Sequence, residues 1–257
     1  MNTKVPEFIT IGATVLYKGK PVKVIDSLLS CPCVLGKKDN HTADDLNVPV
    51  VNLEGIGTVP YLIEDFNSLN LKYAEIAKDV WQALNEIPRE GWVRRKVKNP
   101  ETVQEHSISS RNLVIDMIDL LPEFSTKDIL DILDILEVHD YPEKIDGDKV
   151  IVTYDKEEKK RLEEEKFISE FNAMSEICNG LGLDGKDIFK LWLRFEEKID
   201  AMSIFAKQID KYQSIEKAFE YQQKGEKVRA QDFIDYYRND IVHPVLKQRI
   251  SYIEKKI

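Results

Sequence analysis

The 257-residue chain is 42% hydrophobic and 32% charged, an ordinary globular composition that excludes a disordered or fibrous protein. Its net charge of -9 argues against broad nucleic-acid binding, which needs clustered basic surface, but leaves room for a small phosphorylated ligand held by a local basic pocket or a metal. No apolar run approaches the roughly 20 residues that cross a bilayer, the first residues lack the apolar core of a secretory signal, and Cys31, Cys33 and Cys178 make no disulfide framework, so a cytoplasmic protein is expected.

In chain order, residues 1–68 read as a small β-rich domain. The runs Gly12 to Tyr17 and Pro21 to Ile25 flank Lys18-Gly19-Lys20 and predict a hairpin. Val34-Leu35, Val48 to Val51 and Thr58 to Ile63 add strand candidates punctuated by Gly and Pro. No catalytic constellation falls here. His41 sits in a polar, turn-like stretch, and Cys31-Pro32-Cys33 lacks the second Cys/His pair that a zinc site needs. The Lys18, Lys20 and Lys23 cluster reads as solvated hairpin surface.

From residue 69 to 257 the period becomes helical. Ile76, Val80, Leu84 and Ile87 mark one amphipathic face. Asn99 as cap with Pro100 at the first position predicts a helix start, and Val103, His106, Ser110, Leu113 and Met117 form its stripe. Ser125 or Thr126 opens the next helix, with Ile129, Ile132, Leu133 and Leu136 inward. A charged run, Lys156 to Lys166, begins a long helix as a solvated face, with Ile168, Phe171 and Ile177 inside. Two helices follow near 187–199 and 201–223, and a helical tail from Asp232 is interrupted at His243-Pro244.

His139 and Asp140 extend the apolar stripe of their helix, and an ionisable residue facing a core needs a partner. Glu143 shares their side if the helix continues. His106 lies on a second apolar stripe, and Asp210 borders a third made by Met202, Phe205, Ala206 and Ile209. Two imidazoles and two carboxylates from three helices are a donor set for one divalent metal. Spacing alone leaves the plainer readings open: a hydrogen-bonded core His, a solvated Asp.

Three segments carry a resemblance. Gly91-Trp92-Val93, an Arg, then Pro100-Glu101-Thr102-Val103 leading to His106 resembles the opening motif of the HD-domain 5′-deoxynucleotidase family. His139-Asp140-Tyr141-Pro142-Glu143-Lys144-Ile145-Asp146-Gly147-Asp148 resembles its central motif. Leu191 to Glu196, Gln208 to Lys211 and Ala218 to Tyr221 resemble its closing helices. The resemblance implies a mainly α fold, an HD helical bundle behind the N-terminal β-rich domain. It implies one divalent transition metal (Mn, Co, Fe, Ni or Zn, with Mg also compatible) on His106, His139, Asp140 and Asp210. Glu143 is the implied acid–base residue and Asp148 a second catalytic carboxylate. Arg95, Trp92 and Arg89 are the implied substrate-binding groups, although Trp92 reads equally well as a core residue. The implied reaction is attack of metal-bound water on a (deoxy)nucleoside 5′-monophosphate, and the implied assembly is a homodimer. Two alternatives stay open: a deoxynucleoside triphosphate triphosphohydrolase using the same ligands, and a non-catalytic nucleotide-binding module. Pro142, where the family has a small residue, predicts a kink or stop just before Glu143.

Overall fold

The computed structural model describes residues 72–257 apart from residue 154 and, earlier in the chain, the backbone of five strands. The chain divides into two units, Met1–Asn70 and Leu71–Ile257. In the first, β1 (Thr14–Tyr17), β2 (Lys20–Leu29), β3 (Pro49–Leu53), β4 (Gly57–Pro60) and β5 (Phe66–Asn67) pair antiparallel in the order β4-β3-β2-β1-β5. The readings of Val34-Leu35, His41 and Cys31-Pro32-Cys33 lie outside the described residues.

The second unit is helical: α1 (Lys72–Ile76), α2 (Lys78–Leu84), α3 (Glu90–Arg94), α4 (Val103–Asp116), α5 (Thr126–Val138), α6 (Glu143–Asp146), α7 (Lys156–Gly180), α8 (Leu183–Glu197), α9 (Ala201–Gln223), α10 (Ala230–Tyr237) and α11 (Pro244–Glu254). Helix α5 is the central element, packed by α4, α8 and α9. Ser125 caps it through a reciprocal pair of bonds with Asp128. Ile129, Ile132, Leu133, Ile135 and Leu136 are buried along it, each worth roughly 1.5–3 kcal/mol of apolar transfer. Among the described residues, no helix is long and apolar enough to cross a membrane.

Four local expectations are corrected. Helix α4 starts at Val103, not at Pro100, because Thr102 and Glu105 close a capping box and satisfy two otherwise orphaned donors. The stretch from Ile76 to Ile87 is two short helices rather than one face: Val80 and Leu84 are buried, whereas Ile87 follows the end of α2. On α7, Ile177 is buried, but Ile168 and Phe171 are 59% and 39% exposed. The buried side runs instead through Glu170, Ala173, Met174, Ile177 and Cys178. There Gly185 of α8 comes so close that a Cβ would sit 2.0 Å from the Cys178 carbonyl oxygen. Finally, the expected break at His243-Pro244 is present, with Pro244 opening α11, but it spans residues 238–243, and α10 begins at Ala230 rather than Asp232.

Candidate metal and phosphate site

Four segments converge at one end of α5. Helix α5 stops at Val138, with His139 as its C-cap. Pro142 takes the last position before α6, so the chain turns after Asp140 and still delivers Glu143, 3% exposed, to the same place. Gly147 ends α6 at φ +69 and ψ 167, a conformation open essentially to glycine. That turn aims Asp148 back at α3, where its Oδ2 accepts the Glu90 backbone N–H at 2.7 Å. Helix α4 contributes His106 and α9 contributes Asp210.

The ligand atoms of His106, His139 and Asp210 all lie within 4.8 Å of one another. Asp140 joins them: its Oδ2 is 3.1 Å from His139 Nε2 and 3.8 Å from His106 Nε2. His106 Nε2 is 3.0 Å from Asp210 Oδ1. The His139 Nδ1 atom is 2.8 Å from the Leu136 carbonyl, an oxygen that can only accept. Nδ1 therefore carries the proton, and in the neutral ring Nε2 carries the lone pair. That Nε2 is buried, faces the Asp140 carboxylate at 3.1 Å and makes no well-aligned hydrogen bond. A buried lone pair among two carboxylates and a second imidazole is the donor set of a divalent transition metal, so the residues fit one.

Electrostatics agree. Burial opposes charge on Asp140 and Asp210. For Asp140 the pull of His139, Arg89 and His106 wins, and for Asp210 that of His106, His139 and Lys207. Both carboxyls end well below the usual carboxylate range. Burial also opposes charge on His139, but Asp140 and Asp210 outweigh it and raise its pKa. The same anionic surroundings attract a cation. Glu143 moves the other way: burial first, then Asp140 and Asp148, push it well above the usual range against Arg89. A bound divalent cation would counter that rise.

Arg89 faces this acidic group. Its Nη1 donates to Asp140 Oδ2 at 3.3 Å and lies 3.8 Å from Glu143, while its Nε is 3.7 Å from Asp148. Burial works against its charge, but Asp148, Asp140, Glu143 and Asp210 outweigh it and keep the guanidinium charged. Arg95 stands apart from this group, exposed, donating to the Gly91 carbonyl at 3.0 Å with its guanidinium 4.6 Å from the centre of the Phe233 ring. Trp92 is 3% exposed; its ring stacks on Phe233 at 4.9 Å, and its N–H donates to Glu101 at 2.9 Å. Trp92 therefore supports α3 from behind and has little face left to offer a ligand.

Other residues at the site escaped the sequence reading. Burial pushes the Tyr237 hydroxyl up to about 12, with Asp210 adding to the rise and Arg89 and Arg95 opposing it. Lys166, placed on a solvated face by its charged run, donates to the Lys149 carbonyl at 3.1 Å and feels Glu143, Asp140 and Asp148. Gln213, one turn after Asp210, holds His106 Nδ1 at 2.7 Å. The i, i+3 spacing of Asp210 and Gln213 was the available signal for it.

These features define a phosphohydrolase-type site in an HD helical bundle, and the HD domain family model matches residues 81–247. The chain belongs to the HD-domain family of phosphohydrolases, close to its 5′-deoxynucleotidase members. It is 33% identical to 5′-deoxynucleotidase HDDC2 of Dictyostelium discoideum over 66% of this chain and 91% of that one. It is 36% identical to 5′-deoxynucleotidase HDDC2 of Homo sapiens over 66% of this chain and 79% of that one. Its fold is similar to that of the PH0347 protein of Pyrococcus horikoshii, with TM-score 0.54 and 19% identity over 70% of this chain and 95% of that one. A predicted metal-dependent phosphohydrolase of Magnetospirillum magnetotacticum matches with TM-score 0.51 and 18% identity over 72% of this chain and 92% of that one.

Proposed function

We propose that the protein hydrolyses (deoxy)nucleoside 5′-monophosphates to nucleoside and phosphate, with one divalent transition metal held by His106, His139, Asp140 and Asp210. The observation that carries this reading is the convergence of the His106, His139 and Asp210 ligand atoms within 4.8 Å, next to the charged Arg89. The names of the curated relatives supply the substrate class. When bound, the metal acidifies a coordinated water and offsets charge on the phosphoryl oxygens.

The chain's own residues do the rest. Arg89 offers the phosphate a planar, two-pronged donor, and Arg95 supplies a second cation on the open side. Glu143, buried beside Arg89 and returned to its carboxylate form by the cation's charge, takes the proton from the attacking water and passes it to the leaving nucleoside oxygen. Asp148, fixed by the Glu90 N–H, holds the sugar side. Tyr237 closes the wall, with Trp92 and Phe233 bracing α3 behind it. Further parts of the proposal are that residues 1–68 form a β-rich domain separate from the catalytic residues 69–257, and that the protein is a cytoplasmic homodimer. Exposed Phe167, Ile168, Phe171 and Leu183 on α7 and α8 are compatible with pairing.

Phosphorus NMR of the products tests the reading. Inorganic phosphate from a nucleoside 5′-monophosphate is the expected result. Tripolyphosphate from a deoxynucleoside triphosphate, with the monophosphate untouched, would replace it with the triphosphohydrolase reading.

A further inference from the structure

Behind His106 lies a buried polar chain that joins α3, the start of α4 and α9. Glu101, Gln213 and Trp92 are each nearly inaccessible, at 3%, 2% and 3%. The Trp92 Nε1–H donates to Glu101 Oε1 at 2.9 Å, and the Gln213 side-chain amide N–H donates to Glu101 Oε2 at 2.9 Å. Lys217 Nζ stands 3.7 Å from Oε2. At the other end Gln213 Oε1 is 2.7 Å from His106 Nδ1. The backbone of Glu101 is held too: its N–H donates to the Tyr221 hydroxyl at 2.8 Å, and its carbonyl accepts the Arg89 N–H at 2.9 Å.

The polarity of this chain follows from the chemistry of its members. An indole N–H only donates, so Glu101 Oε1 must accept. A carboxylate flanked by a lysine stays an acceptor at Oε2 as well, so Gln213 must turn its NH2 toward Glu101. That leaves the Gln213 oxygen facing His106, and an oxygen there requires the imidazole proton on Nδ1. The Nε2 of the neutral ring is then the lone-pair nitrogen, on the side of Asp210 and Asp140.

We propose that Glu101 is a positioning residue which, through the Gln213 amide, selects the His106 tautomer that can bind a metal. His139 obtains the same tautomer from a backbone carbonyl, so the site prepares its two imidazoles by different means. The inference rests on the reading of His106 as a metal ligand.

A reciprocal exchange tests it. In Glu101→Gln, the new amide donates toward Gln213, which must rotate to present its oxygen and so offers its NH2 to His106 Nδ1. The proton is driven to Nε2 and metal binding suffers. In Gln213→Glu, two carboxylates face each other. In the double variant every bond returns: the introduced amide accepts from Trp92 and donates to the introduced carboxylate, whose other oxygen accepts from His106 Nδ1. Zinc affinity of the full chain is measured by chelator competition. The Nδ1–H of His106 is followed by 15N NMR of the zinc-loaded protein, whose four histidines keep the spectrum simple.

Each single variant is expected to lose roughly 10–100-fold in affinity, the usual range for groups supporting a metal ligand. The Glu101→Gln protein should also lose the Nδ1–H signal. The double variant should recover both to within a few-fold of the unmodified chain. A merely structural role for Glu101 predicts instead that the near-isosteric Glu101→Gln keeps both readouts; that result overturns the inference. So does a double variant that fails to fold or binds zinc no better than the singles. If the unmodified chain binds no zinc, the metal reading itself fails, which is a separate outcome.

Discussion

At the scale of single residues, the proposed function separates metal holding from proton transfer. In that reading His139 would offer the metal its Nε2 lone pair, its other nitrogen being spent on Leu136. His139→Ala is therefore expected to remove metal and activity together, as read by metal content after gel filtration. Glu143 is buried beside Arg89 but lies outside the tight His106–His139–Asp210 cluster. Glu143→Gln is expected to keep the metal and lower turnover by roughly two to four orders of magnitude, the range for acid–base groups. A Glu143→Gln protein with full activity would remove Glu143 from the mechanism. Much of the candidate site was legible because a dense motif carries it: His139, Asp140, Glu143 and Asp148 fall within ten residues. Glu101, Gln213 and Tyr237 were not, because their partners lie across the chain. Gln213 and His106 are 107 residues apart in sequence, and no local periodicity reports such a pairing.

At the scale of elements, α5, α8 and α9 are tied by one arginine. Arg194 of α8 makes a bidentate pair with Asp131 of α5 and donates to Asp200, the N-cap of α9, at 2.8 Å. These helices carry His139 and Asp210 into register. Burial pushes the Asp200 carboxyl up, but Arg194 and Ser203 outweigh it and hold it below its ordinary value. A depressed folded-state pKa means the unfolded state binds the proton more readily. The contribution is whole above about pH 4 and is lost as pH falls through the lower folded-state value. Asp200→Ala should cost about 1 kcal/mol, a typical N-cap loss, which is about 2–4 °C in midpoint. The deficit should shrink as the solution is acidified below the unfolded-state value; one that persists unchanged in acid would contradict the assignment.

The α7–α8 contact is equally specific. Gly185→Ala would place a Cβ 2.0 Å from the Cys178 carbonyl oxygen, so the helices must part. A loss of about 1–3 kcal/mol is expected, read by chemical denaturation. Helix positions were largely legible from periodicity and caps, as for Ser125. The inward face of α7 was not: a 25-residue helix offers several stripes, and only the approach of Gly185 decides which one is covered. The start of α4 was missed for a related reason. Asn99-Pro100 is a good opening by composition, but Thr102 and Glu105 satisfy each other and win.

At the scale of the whole molecule, an acidic chain of net charge -9 keeps Arg89 within one cluster of carboxylates, while Arg95 lies exposed at the end of α3. On the proposed function, a phosphate ligand would be attracted locally, by Arg89, Arg95 and the metal, rather than by the overall field. The mainly helical architecture and the HD family were readable from motif order; the work of residues 1–68 was not, because no reactive cluster occurs there. If the homodimer proposal holds, light scattering should give twice the chain mass of 29.8 kDa; a single-chain mass at micromolar concentration would refute it.

The most direct test is phosphate release from nucleoside 5′-monophosphates by metal-stripped protein, with Mn, Co, Fe, Ni, Zn or Mg added back singly. A metal-centred phosphohydrolase predicts no release from the stripped protein, restoration by at least one transition metal, and no restoration in His139→Ala. Full activity in the stripped protein, or silence with every metal although the metal binds, would contradict it.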